Sequence, residues 1–170
     1  MATIQLQEMK PVATLTGGPP PLRMYEEIDS GSVTGNKFKK GQLVTLSGGG
    51  LMGNVSGYIK HSHSGYSEGK GVVGVAADDA VGTTSSEIGV YLLAEDTIFE
   101  ANVFHDTSAS AVTAATDVGL RYGLGSMSGR SYVNKSVAEG RPLVEVIRIK
   151  DAVGDLFGRV EFIPRKYNLS

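Results

Sequence analysis

The chain has 170 residues, 41% of them hydrophobic, enough to bury a core in one compact domain with an appendage. Sixteen Lys and Arg against eighteen Asp and Glu leave a net charge of −2, so no nucleic-acid partner is expected. Cysteine is absent, which excludes disulfides, thiolate nucleophiles and cysteine-based zinc sites and fits synthesis in a reducing cytosol.

Residues 1–37 read as an extended N-terminal arm and linker, with the arm proper over Met1–Ser30. Met1–Lys10 has no basic head before an apolar stretch, so no classical signal peptide is expected. Ile4–Gln7 is a candidate short strand. Pro19, Pro20 and Pro21 favour extended polyproline II chain and cannot join a central sheet. Leu22, Met24 and Tyr25 would be wasted on solvent, so Pro19–Tyr25, Arg23 included, is the candidate contact segment.

Residues 38–170 read as a β-rich domain. Gln42–Leu46 alternates, Val55–Lys60 is a weaker strand, and His61–Gly69 is a polar loop. Gly71–Ala76 has the pattern of a buried strand. Ser86–Phe104 is the most apolar stretch. Its first run puts Ile88, Val90 and Leu92 on one face, and its second puts Thr97, Phe99, Ala101 and Val103 on one face. The break at Ala94-Glu95-Asp96 suits an antiparallel hairpin, with Val90, Leu92, Phe99, Ala101 and Val103 as its core. Asp106–Asp117 is small and polar. Val118–Leu124, Ser131–Val133, Leu143–Ile149 and Gly158–Ile163 complete about eight or nine short strands. With 23 glycines, about twice the usual share of roughly 7%, the pattern predicts an all-β barrel or sandwich. No run approaches the roughly 18 apolar residues of a membrane span, so no membrane partner is expected.

Motifs for chemistry are sparse. Gly69-Lys70-Gly71-Val72-Val73-Gly74 fits a dinucleotide-binding spacing, yet a polar loop precedes it and no helix follows. No Gly-Lys-Ser/Thr occurs. His61 and His63 would share a strand face but read as loop residues, and Asp78 and Asp79 lie at no fixed ligand spacing. His105-Asp106 beside the Ser-rich Asp106–Asp117 stretch offers hydroxyls without a nucleophile elbow. Glu26-Glu27 and Asp78-Asp79 read as solvated turns. The expectation is therefore a protein with no catalytic residue, no metal and no cofactor.

Several pieces carry a resemblance. They are Phe38-Lys39-Lys40-Gly41-Gln42-Leu43-Val44, Val73-Gly74-Val75-Ala76-Ala77-Asp78-Asp79, Gly89-Val90-Tyr91 and Thr97-Ile98-Phe99-Glu100-Ala101. Asp117-Val118-Gly119-Leu120, Tyr122-Gly123-Leu124 and Val146-Ile147 follow in the same order. Over Phe38–Ile163 this resembles the decoration, or cement, proteins of tailed-bacteriophage capsids. The resemblance implies a homotrimer made in the bacterial host cytoplasm. It implies that the trimer sits on the outer surface of the virion and braces the major capsid protein of the expanded head. A phage tail or head-fibre component is the nearest alternative, and a small β-barrel ligand-binding protein or enzyme a further one.

Overall fold

A computed structural model describes residues 6–27, 38–46, 58–61, 72–81, 86–127, 129–136 and 144–165. They form eleven strands: β1 (Lys10–Thr14), β2 (Leu22–Glu27), β3 (Leu43–Leu46), β4 (Tyr58–His61), β5 (Val72–Ala76), β6 (Glu87–Leu92), β7 (Thr97–Phe104), β8 (Arg121–Met127), β9 (Arg130–Asn134), β10 (Val144–Ile149) and β11 (Arg159–Pro164). Two single 3-10 turns, Ser108–Ser110 and Ala115–Asp117, complete the regular structure. The fold is all-β, as the alternating pattern predicts.

The strands make two closed rings. β2, β4, β3, β5 and β6 form a five-stranded barrel in that order. β7, β11, β10, β8 and β9 pair in turn, and a short parallel contact between β7 and β9 closes them into a second ring. β1 adds to β7 over Thr97–Glu100.

The rings share one topology. In each, the first strand pairs parallel with the third and antiparallel with the fifth. The second lies antiparallel between the third and fourth, and the fourth antiparallel against the fifth. The entry to each second strand is also built alike. Gly41 and Gly119 both take positive φ, 79° and 85°. Gly41 N–H donates to the Ala76 carbonyl (2.9 Å), and Ala76 N–H to the Gln42 carbonyl (2.9 Å). Likewise Gly119 N–H donates to Val146 (2.8 Å), and Val146 N–H to Leu120 (3.0 Å).

Two expectations change here. Ser86–Phe104 does form two strands, but they are not a hairpin. β6 lies between β5 and β2, and β7 between β1 and β11, so Ala94-Glu95-Asp96 links one ring to the other. The physical reason is that the inward residues of each run fill a different core, Ile88 and Val90 in the first ring and Phe99, Ala101 and Val103 in the second. Val90, Phe99, Ala101 and Val103 are buried, while Leu92 is half-buried. Secondly, residues 1–37 do not form a separate arm where they are described. β2 pairs along five positions of β6 and is a stave of the first barrel, and β1 lies on β7. Glycine and proline in the link between them concealed two short strands.

Barrel one is lined by Phe38, Val44, Ala76, Ile88 and Val90, with Tyr25 and Val73 packed against them. The alternate residues Leu43 and Val75 point the other way, into the larger core of Phe99, Val133, Val146, Val160 and Phe162, where Tyr91 and Leu93 also pack. The segment before β1 is wedged between the rings: Met9 is 1% exposed, and Gly41 lies against Glu8 and Met9.

Two stability predictions follow from this packing. Phe99 is fully buried and stacks on its cross-strand partner Phe162 at 5.8 Å, so Phe99→Ala should cost about 3–5 kcal/mol in denaturant unfolding. A Cβ on Gly119 meets open space, whereas one on Gly41 would lie 2.8 Å from the Glu8 Cβ. Gly119→Ala should cost about 1–2 kcal/mol from backbone strain alone, and Gly41→Ala about 1–3 kcal/mol more. Equal losses for the two variants would contradict the wedge.

Candidate functional site

The outward face of β2 carries the strongest surface signal. Antiparallel pairing sets Leu22 opposite Tyr91, Met24 opposite Gly89 and Glu26 opposite Glu87, so these six positions share one face. Leu22 is 51% exposed and Met24 54%. Gly89 keeps the face flat, with the Leu22 side chain, Ala77 and Asp78 around it. The alternate residue Tyr25 sits opposite Ile88 and packs into barrel one, so it belongs to the core rather than to a contact surface. Arg23 and Pro19 are exposed, and Pro20 and Pro21 are half-buried. The Pro21 carbonyl accepts the Leu92 amide (3.0 Å), which ties the proline run to the end of β6.

Two polar clusters lie on the second ring. In the first, Asp117 is 2% exposed. It accepts from the Tyr122 hydroxyl at 2.7 Å, from the Ala114 amide at 2.8 Å and from Lys135 Nζ at 2.8 Å. Lys135 also donates to the Val112 carbonyl at 2.8 Å. Burial, and then the Asp117 carboxylate, push the Tyr122 hydroxyl well above the usual phenol range. In the second cluster, Glu100 and Glu161 face each other across β7 and β11. Arg159 Nη1 lies 3.0 Å from Glu100, Arg148 Nη2 2.6 Å from Glu161, and Lys150 Nζ within 3.8 Å of both. A bidentate contact from Arg159 holds the Asp151 carboxyl below the ordinary range.

Both clusters are closed on themselves. Among the described residues no buried side-chain nitrogen or oxygen lacks a hydrogen-bond partner. Asp117 pins the irregular 105–118 segment to β8 and to Lys135 just beyond β9, and the cations over Glu100 and Glu161 neutralise two adjacent acids on a sheet face. Phe157 adds a third lock with φ of 53°, a strained value for a bulky residue. Its amide donates to Ala111 (2.7 Å), its carbonyl accepts from Asn102 Nδ2 (2.6 Å), and its ring stacks on Phe104 at 6.0 Å.

The other sequence candidates are scattered. His61 ends β4 opposite Val44, whereas His63 lies outside the described residues. His105 Nδ1 accepts the Thr107 amide at 3.0 Å, so it caps a turn. Asp79 accepts from the Lys40 amide at 2.8 Å, which holds its carboxyl below the ordinary range and pins the entry to β3. Among the described residues no three His, Asp or Glu side chains gather as metal ligands. The Asp117–Tyr122–Lys135 lock escaped the sequence reading because its members are individually ordinary and follow no motif spacing. Comparison of the chain with protein-family models, curated proteins and solved structures finds no match.

The raised Tyr122 pKa gives an alkaline signature. Its stabilisation is complete below the unfolded value of about 10, where both states hold the proton. Above that pH the unfolded chain ionises first and stability falls. Tyr122→Phe should cost about 1.5–3 kcal/mol at pH 7. It should also flatten the stability loss measured by denaturant titration between pH 9.5 and 11; an unchanged slope would contradict the assignment.

Proposed function

We propose that the chain is a structural decoration protein of a phage head, docking as a trimer on the outer surface of the expanded shell. The observation that carries the reading is the flat, solvent-exposed apolar face at Leu22 and Met24, presented by a rigid barrel strand. The resemblance over Phe38–Ile163 supports it, and so does the inward closure of the polar clusters. Those clusters hold loops and strands in place and direct no buried, unpartnered group at a substrate.

In this reading docking belongs to a barrel face and not to a free arm. Deleting residues 1–30 would remove a stave of barrel one along with β1, so it would test folding rather than contact. Three copies of one face on a trimer convert the second and third contacts into intramolecular ones. Burial of Leu22 alone would contribute on the order of 1 kcal/mol, given its half-exposed start, so one copy binds weakly and three together bind well.

Light scattering of the purified protein should report three times the 17.9 kDa chain mass. Mixing with expanded, undecorated shells should give saturable binding by cosedimentation. A monomer at every concentration, or no binding to such shells, would count against the proposal.

A further inference from the structure

The two rings are equivalent in topology, so one can be read as a template for the other. Counted from Gly41 and Gly119, Leu22 matches Glu100 and Met24 matches Asn102. The pairing agrees: Leu22 lies opposite Tyr91 and Glu100 opposite Glu161, while Met24 lies opposite Gly89 and Asn102 opposite Arg159. In the second ring this face is covered. Glu100 and Asn102 are each 4% exposed, and the Gln7 amide of an extended segment donates to Asn102 Oδ1 at 2.6 Å. In barrel one the matching residues, Leu22 and Met24, are apolar and about half exposed.

The bare face continues a buried one. Pairing aligns Leu43, Val75, Tyr91 and Leu22 in one row across β3, β5, β6 and β2. Leu43 and Val75 pack into the second core, Tyr91 is half-buried against it, and Leu22 lies in solvent. The row therefore leaves the contact between the rings and runs out onto the surface.

Two further features define the occupant. β1 pairs with β7 over Thr97–Glu100, which matches Pro19–Leu22 in barrel one. Three prolines there supply no N–H, so that edge cannot receive a full strand, and recognition falls to the side-chain face. At the other end Glu26 and Glu87 stand directly opposite, with Asp78 beside Gly89. Among the described residues neither glutamate has a cationic partner. Like charges in direct register are destabilising, and a cation brought from outside would relieve them. The chain's own segment that covers the second ring is committed there, with Met9 buried, so a second copy has none to lend.

We infer that the outward face of β2 and β6 receives an extended segment of the shell protein, laying apolar side chains over Leu22 and Met24 and a lysine or arginine against Glu26 and Glu87. The inference rests on the docking reading and names its contact. Binding covers Met24, and the basic group relieves the glutamate pair.

The test uses the full-length protein, free and on expanded shells. Peroxide oxidation of Met24, followed by peptide mass spectrometry, should slow at least tenfold at full occupancy, with buried Met9 as the slow internal reference. Glu26→Gln with Glu87→Gln should raise the melting temperature yet weaken shell binding severalfold and reduce its salt dependence. Leu22→Ser with Met24→Ser should weaken binding more than tenfold at unchanged mass. Wild-type binding with Met24 oxidised at its free rate would overturn the inference and leave the docking reading standing. Protection of Met24 already in the free oligomer would assign the face to a second copy and overturn it too. Absence of binding by the wild type would overturn both.

Discussion

The structure depends on strands that serve two cores at once. Along β3, β5 and β6 the side chains alternate between the inside of barrel one and the core of the second ring: Val44 against Leu43, Ala76 against Val75, Val90 against Tyr91. Such strands have no polar face to spend on solvent where the rings touch, so the rings cannot slide without exposing one row or the other. Met9 and the Glu8 backbone fill the remaining gap, which is why a residue without a side chain stands at Gly41. The buried Ser131 hydroxyl, accepting from the Leu43 amide at 2.8 Å and bonded to Ser126, stitches the same seam with polar contacts.

Repetition explains much of the rest. A closed ring of five strands must contain at least one parallel pair, because directions cannot alternate around an odd number, and that pair needs a crossover connection. Here it occurs twice, in the same order, with the same glycine turn and the same pair of backbone hydrogen bonds. The halves differ where their surroundings differ. The first strand of the second ring is sheathed by β1, and its outward Glu100 is matched by Lys150 and Arg159. The first strand of barrel one exposes Leu22 and Met24, bordered by acids without a cationic partner among the described residues.

Much of this was legible in the sequence. Period-two runs located β3 to β11 to within a few residues, because half-buried strands print their alternation directly. β1 and β2 were not legible. Their flanking Gly17-Gly18-Pro19-Pro20-Pro21 has the composition of a linker, and β1 offers little apolar periodicity because most of it is exposed. The separate pairing of β6 and β7 is hidden in the sequence for a related reason. A three-residue break permits a hairpin but does not require one, and alternation alone does not show that the two runs fill different cores. At the candidate site, Leu22 and Met24 stood out as apolar residues among turn formers. Which of Leu22, Met24 and Tyr25 faces solvent was fixed by alternation within a strand whose existence the prolines masked.

The placement of β1 sets an order on assembly. The chain makes this segment early, yet its partner β7 begins at Thr97, and the ring around β7 closes only with β11 at Arg159–Pro164. During synthesis barrel one can close as soon as β6 emerges, while Leu6–Thr14 must wait for β7 to pair and for β11 to close the ring around it. Over that interval its edge is open to pairing with neighbouring chains on the ribosome. Lys10 and Pro11 at its start, and the proline run after its end, act as gatekeepers: each removes a donor or adds a charge where a stray strand would seek to join. The residues that look least structured in the sequence are in this sense the ones that keep a nascent double barrel from polymerising before it is whole.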